Sequence, residues 1–249
     1  MNSEAPQINP LFFNEPVVIT TSEHGSSRFK PEKNYAFASG ANSIPLTLTE
    51  FESAASSYPI VFTNTDVPTA IAVTGLKNHH NLFVDSHGNW DNRSYVPAYV
   101  RKYPFLFMES LDGSQFTLCI EKNSLVDGDE GQPIFENEEP SALLSRSLEF
   151  CKSFHAAWDG TKTFVSMMQD LDLLIERRAD IESATGERFS LDGFCVIDRE
   201  KYEALPKSAV NKLPGTFVAA INSHFVSMSC WKNLLSLNAE SDREGQTVG

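Results

Sequence analysis

Basic side chains are scarce in this sequence: 20 Lys and Arg stand against 33 Asp and Glu, a formal net charge of -13 over 249 residues. A chain of that sign repels phosphate backbones and anionic headgroups, which argues against nucleic-acid binding. Long apolar runs are missing too. No stretch approaches the ~18 consecutive apolar residues of a bilayer span. The first thirty residues carry acids, prolines and polar side chains where a secretory signal needs an apolar block. The expectation is a cytoplasmic protein with no membrane span. Cysteine is limited to Cys119, Cys151, Cys195 and Cys230, far apart and set in apolar surroundings such as FTLCI and GFCVI. Reduced core cysteines look like this; a disulfide framework or a zinc site does not. GxSxG, Walker, GxGxxG and HExxH patterns are also absent, so no local motif announces an enzyme or a cofactor.

What is present suffices for a core. At 41% hydrophobic residues, 249 positions make one large domain or two small ones on a prior of ~150 residues per domain. The run PVVIT at 16 to 20 reads as a strand, and Thr49 before EFESAA reads as a helix cap. From Tyr58 the runs YPIVFTN, TAIAVTG, NLFVD, FLFMES and QFTLCIE follow one another, each short, β-branched or aromatic, and parted by turn residues. They predict a mostly antiparallel sheet. Residues 121–140 carry seven acids and one base and read as an acidic connection.

After Pro140 the period becomes helical. Leu144, Leu148, Cys151 and His155 line one face, with Leu143, Phe150, Phe154 and Trp158 beside them. Asp159, Gly160 and Thr161 predict a turn, followed by a second helix over TFVSMMQDLDLLIERR. FCVI predicts a strand leading into a helix capped by Asp198, and Pro214 and Gly215 open a final helix. The segment NAESDREGQTVG has almost no apolar content. The predicted organisation is a flexible N-terminus at 1–10, one domain at 11–237, and a disordered tail at 238–249. Its class is α+β, a mostly antiparallel sheet from the N-terminal half covered by helices from the C-terminal half.

Two windows are candidates for chemistry. His79 and His80 precede Asp85, Ser86 and His87; on a strand, Asp85 and His87 share a face and can offer oxygen and nitrogen to a metal, with His224 or His155 as a distant third ligand. The plainer reading of DSHGNW is a hairpin turn in which Asp85 folds onto its own backbone and Gly88 takes positive φ. The loop from Asp127 to Glu138 departs from a calcium-loop register and reads as a solvated acidic loop. The second window, WDNRSYVPAYVRKYPFLFMES at 90–110, concentrates aromatics and cations in an otherwise acidic chain. Guanidinium groups lie flat on rings and fork onto carboxylates, so Trp90, Tyr95, Tyr99, Arg101 and Tyr103 are candidates for recognising a peptide or an anionic ligand. Packing of the same side chains across a bent strand is the structural alternative.

These blocks resemble, in order, those of the SapC family of bacterial proteins: YPIVF at 58–62, NLFVDSHGNW at 81–90, YVPAYVRKYPFLF at 95–107, LCIE at 118–121 and GQPIF at 131–135. LDGFCVIDREKYEAL at 191–205, LPGTF at 213–217 and SHFVSM at 223–228 continue the series. Lys102 stands where the family usually has a second Arg. The family takes its name from a gene that accompanies surface-layer protein secretion, and the resemblance implies an accessory role in surface or secreted protein handling. It brings no catalytic residues. The leading expectation is a cofactor-free protein that binds a protein or peptide partner. The alternatives are a metal-dependent oxygenase or hydrolase using Asp85, His87 and a distant histidine, and a structural subunit of a homo-oligomer.

Overall fold

The apolar runs Ile60–Thr63 and Ala70–Val73 are parted by polar turn residues, and they form neighbouring antiparallel strands. The computed structural model containing them describes residues 10–32, 34–109, 116–182, 186 and 188–247. It is a mixed α+β structure in which helices accompany antiparallel sheets. The chain divides into two compact units, the first made from the described residues of Met1–Lys33 and Arg101–His155, the second from those of Asn34–Val100 and Ala156–Gly249. Among the described residues no helix is long and apolar enough to cross a membrane.

In the second unit a five-stranded sheet runs in the order Leu174–Glu182, Arg188–Ile197, Ile60–Thr63, Ala70–Val73, Ser43–Pro45, antiparallel throughout. Its two longest strands come from the C-terminal half, where a helix is expected over DLDLLIERR. The helix Ala142–Asp170 stops because Asp172 adopts φ +53°, and the N–H groups of Leu173 and Asp172 turn back to the carbonyls of Met168 and Gln169. That is a left-handed helix stop, which Asp tolerates better than most residues. The expected turn at Asp159–Thr161 does not occur. Gly160 costs the helix about 1 kcal/mol relative to Ala, but the helix is 29 residues long and buries Phe164, Val165 and Met168 just beyond it. Phe164 meets the rings of Phe51, Phe62 and Phe217 at centroid distances of 5.9, 6.3 and 5.2 Å.

Thr47, rather than Thr49, caps the first helical turn of this unit, in a reciprocal capping box with Glu50. Asp198 caps Arg199–Glu203 as expected, accepting from the N–H groups of Glu200 and Lys201. The final helical stretch has three parts, Gly215–Ser227, a 3-10 turn at Met228–Cys230, and Trp231–Thr247. Helix therefore continues through much of the tail read as disordered, carried by Leu234 and Asn238, which are buried one turn apart.

The first unit has a three-stranded antiparallel sheet, Pro16–Val18, Phe116–Glu121, Phe105–Glu109, and a smaller one, Leu125–Val126, Arg28–Phe29, Gln132–Pro133. Phe29, Phe105, Ile120, Ile134, Leu144 and Cys151 form its core. The buried carboxylate of Glu121 accepts from the N–H groups of Asn14 (2.9 Å) and Glu15 (3.1 Å) and ties down the first strand.

Glu50 has the corresponding role in the second unit. It is only 4% exposed, and its two oxygens accept from Thr47 N, Thr47 Oγ1, the Tyr95 hydroxyl and Ala98 N at 2.9, 2.7, 3.1 and 2.5 Å. Glu50→Gln turns an NH2 toward donors and leaves buried groups unsatisfied. We expect it to destabilise the protein by about 2–3 kcal/mol, read as a lowered urea midpoint at unchanged slope.

Candidate functional site

Asp85 and His87 lie in a tight turn. Asp85 Oδ1 accepts from the N–H groups of His87 (2.9 Å) and Asn89 (2.8 Å), and Oδ2 accepts from the Asn89 amide at 3.0 Å. Those bonds, the Asn89 side chain's first, hold the Asp85 carboxyl below its usual range. Gly88 sits at φ +81° with no room for a Cβ beside the Asn34 side chain. His224, the proposed third ligand, is fully buried. Its Nδ1 donates to the Ile60 carbonyl (2.8 Å) and its Nε2 accepts from Ile197 N–H (3.1 Å), so both ring nitrogens are engaged by backbone. His155 packs on Phe116 with ring centroids 4.1 Å apart. Among the described residues no three His, Cys, Asp or Glu side chains gather to hold a metal ion.

The aromatic window is divided at the boundary between the units: Trp90, Tyr95 and Tyr99 fall in the second, Arg101 and Tyr103 in the first. Trp90 is 7% exposed and its indole donates to the Tyr58 hydroxyl at 3.1 Å. The Tyr58 hydroxyl in turn donates to the Tyr95 carbonyl, and burial pushes the Tyr58 phenol up. The Tyr95 N–H donates to Ser57 Oγ (3.1 Å) and its hydroxyl donates to Glu50. Tyr99 is 9% exposed. Trp90 and Tyr95 therefore join Tyr58 in a hydrogen-bonded network, with Tyr95 half-buried at its margin.

Arg101 has a different setting. The short helix that contains it, Ala98–Arg101, turns it outward, and Arg101, Lys102, Phe105, Arg146, Ser147 and Phe150 line a cavity of about 230 Å³ in the first unit. The helix Ala142–Asp170 supplies Arg146, Ser147 and Phe150, of which Arg146 and Phe150 are one turn apart on the same face. Arg101 lies with its guanidinium carbon 5.5 Å from the centre of the Phe150 ring. Three cations and two phenyl rings thus meet, and none of the described lining residues is an acid.

Lys102 is the unusual member. It is 9% exposed, with its ammonium 5.1 Å from the Phe154 ring centre and 5.6 Å from that of Phe13. Burial pulls its pKa down to about 8, and the same burial pushes the neighbouring Cys151 thiol up to about 11. Lys102 remains mostly protonated at neutral pH. Because the unfolded chain holds that proton more tightly, the charge lowers stability below pH 8, by about 3 kcal/mol at pH 7, and the penalty fades as pH rises toward 10.5.

A larger cavity of about 410 Å³ lies in the second unit, lined by Arg178, Asp180, Glu182, Arg188, Phe189 and Ser190. Its charges are already matched, Arg178 with Asp180 at 2.8 Å and Arg188 with Glu182 at 3.1 Å. The smaller cavity gathers three cations and is the candidate for binding. Arg101 is among the recognition candidates read from the sequence, whereas Arg146, Ser147 and Phe150 are not. No local signal joins two segments some forty residues apart.

The His224 geometry makes a prediction. Burial holds its folded pKa at about 4, against 6.5 for the free side chain. Above pH 6.5 both states are neutral; as pH falls toward 4 only the unfolded chain takes up the proton. Stability should fall by up to about 3 kcal/mol across that window. His224→Gln should flatten the same stretch of the urea-midpoint curve measured against pH.

A family model described as SapC matches residues 19–234, and the chain belongs to the SapC family. No curated protein and no solved structure matches it.

Proposed function

We propose that this member of the SapC family binds an acidic group of a protein or peptide partner in the cavity formed by Arg101, Lys102 and Arg146. The observation that carries this reading is the gathering of three cations and two phenyl rings around one opening in a chain of net charge -13. In low-dielectric surroundings a carboxylate forked by an arginine gains a charge-assisted hydrogen bond about twice as strong as a neutral one. The rings exclude water from that bond and supply apolar contact. Arg101 and Arg146 are exposed and can reach a ligand, while Lys102 sets the potential from inside.

Of the five residues read from sequence as a recognition face, Arg101 bears the contact and Tyr103 follows it two positions on in the chain. Trp90, Tyr95 and Tyr99 support the path of the chain leading to Arg101. The proposal places the protein in the cytoplasm, where its four unpaired, buried cysteines suit a reducing compartment. It gives the protein an accessory part in handling surface or secreted proteins, the role that the family name suggests.

The test uses a rhodamine-labelled peptide of alternating Glu and Phe, followed by fluorescence anisotropy with the full chain. Binding is expected to weaken as salt rises from 50 to 300 mM and to drop at least about tenfold in the Arg101→Glu, Arg146→Glu double variant, a change of about 1.4 kcal/mol. The circular dichroism spectrum of that variant should match wild type, since both side chains are exposed. Unchanged affinity in the folded double variant would remove the cavity from consideration.

A further inference from the structure

Asp is followed directly by Gly at 112–113, 127–128, 159–160 and 192–193, and the first of these pairs lies outside the described residues. Such a pair carries its own chemistry. With no Cβ on the glycine, its main-chain nitrogen can swing toward the aspartate Cγ and close a five-membered imide. The step needs a glycine amide that is not tied into a ladder and a backbone that can rotate into place.

The three described pairs differ in both respects. Asp159 and Gly160 lie inside the helix Ala142–Asp170, where each amide is committed to a carbonyl one turn back, and Lys162 holds the Asp159 carboxylate at 2.8 Å. Asp192 and Gly193 lie within the strand Arg188–Ile197. There the Gly193 carbonyl accepts from Asn64 N–H at 3.0 Å, and the pairing of Leu191 with Ala179 and of Phe194 with Arg177 holds the segment on both sides.

Asp127 and Gly128 are placed otherwise. They open the loop between Leu125–Val126 and Gln132–Pro133, two strands that flank Arg28–Phe29. Both residues are exposed, neither is hydrogen-bonded or ion-paired among the described residues, and open space surrounds Gly128 at φ +89°. The far end of the same loop is fastened. Arg28 Nε donates to the Gly131 carbonyl at 3.1 Å, and Lys30 pairs with Glu130 at 2.8 Å.

We propose that Asp127 is a site of spontaneous isomerisation through its bond to Gly128. The Gly128 nitrogen bonds to Asp127 Cγ, a carboxyl oxygen leaves as water, and an imide results. Water then adds back at either imide carbonyl. Addition at the former main-chain carbonyl breaks its bond to the Gly128 nitrogen and leaves the chain running through Cγ, an isoaspartyl linkage one methylene longer. Water is released and then consumed, and nothing is oxidised or reduced. The α-carboxylate freed in this way is what an isoaspartyl carboxyl methyltransferase esterifies, so methylation is the class of reaction that consumes the product.

The experiment holds the full chain at neutral pH for several weeks in heavy-oxygen water, then digests it and reads the peptides by mass spectrometry with electron-transfer fragmentation, which separates isoaspartate from aspartate. Helix and strand must open before the imide can form, so isoaspartate is expected at Asp127 at least about tenfold faster than at Asp159 or Asp192, equivalent to about 1.4 kcal/mol of opening. Each passage through the imide should leave one heavy oxygen. In urea the three rates should converge to within about threefold, because the opening cost is gone. Asp127→Glu keeps the charge of the exposed loop but requires a six-membered ring, and should abolish isomerisation at that position. Equal rates at the three sites in the folded chain would overturn the proposal, as would isomerisation at Asp127 at least about tenfold slower in the folded chain than in urea.

Discussion

The carboxylate of Glu50 is shut away from water, and its need for donors governs the second unit. An unpaired buried carboxylate is among the most expensive features a core can hold. Here the cost is met by donors from two places in the chain, Thr47 beside it and Tyr95 with Ala98 nearly fifty residues on. Satisfying that one group fixes how the segment after Trp90 runs and where Tyr58 and Trp90 find their own partners. Glu121 works in the same way in the first unit, with Asn14 and Glu15 as donors. His224 and Ser227 do so for the strand at Ile60: the imidazole donates to the Ile60 carbonyl and the Ser227 hydroxyl accepts its N–H. Buried polar side chains here cross-link segments distant in sequence, which a purely apolar core does not specify.

Against that background the cavity beside Arg101 is chemically distinct. Lys102 lies between the rings of Phe13 and Phe154, whose faces attract its charge. The exposed arginines on either side reinforce its field, and the acidic surface of the rest of the chain sharpens the contrast by repelling anions elsewhere. The resulting site selects by charge and by a small apolar volume together, and both are properties of side chains held by regular elements.

Part of this was legible in residue order. Four of the five short strands expected after Tyr58, the Asp198 cap, the turn at Asp85 and Gly88, and the burial of all four cysteines follow from local chemistry that operates within a few residues; NLFVD instead holds only a single bridge between Val84 and Trp90. The family blocks were visible for the same reason. Asp172 was the hardest local feature to read: a helical pattern runs straight through it, and only the left-handed backbone at that residue converts LLIERR from helix to strand. Composition likewise pointed to disorder after residue 237, where two buried positions one turn apart carry the helix onward.

The sequence alone therefore determined the α+β class, the acidic character, the reduced cysteines and the family, because pattern, charge and spacing act at short range. Tertiary structure decided which of the aromatics and cations at 90–107 face inward. Trp90 is as aromatic as any recognition residue, but burial depends on what packs over it, and Tyr35, Tyr58 and Phe83 supply that from elsewhere in the chain. It also decided that Arg101 would share a cavity with Arg146 and Phe150. No periodicity encodes a meeting between two elements whose contact arises from the packing of a core.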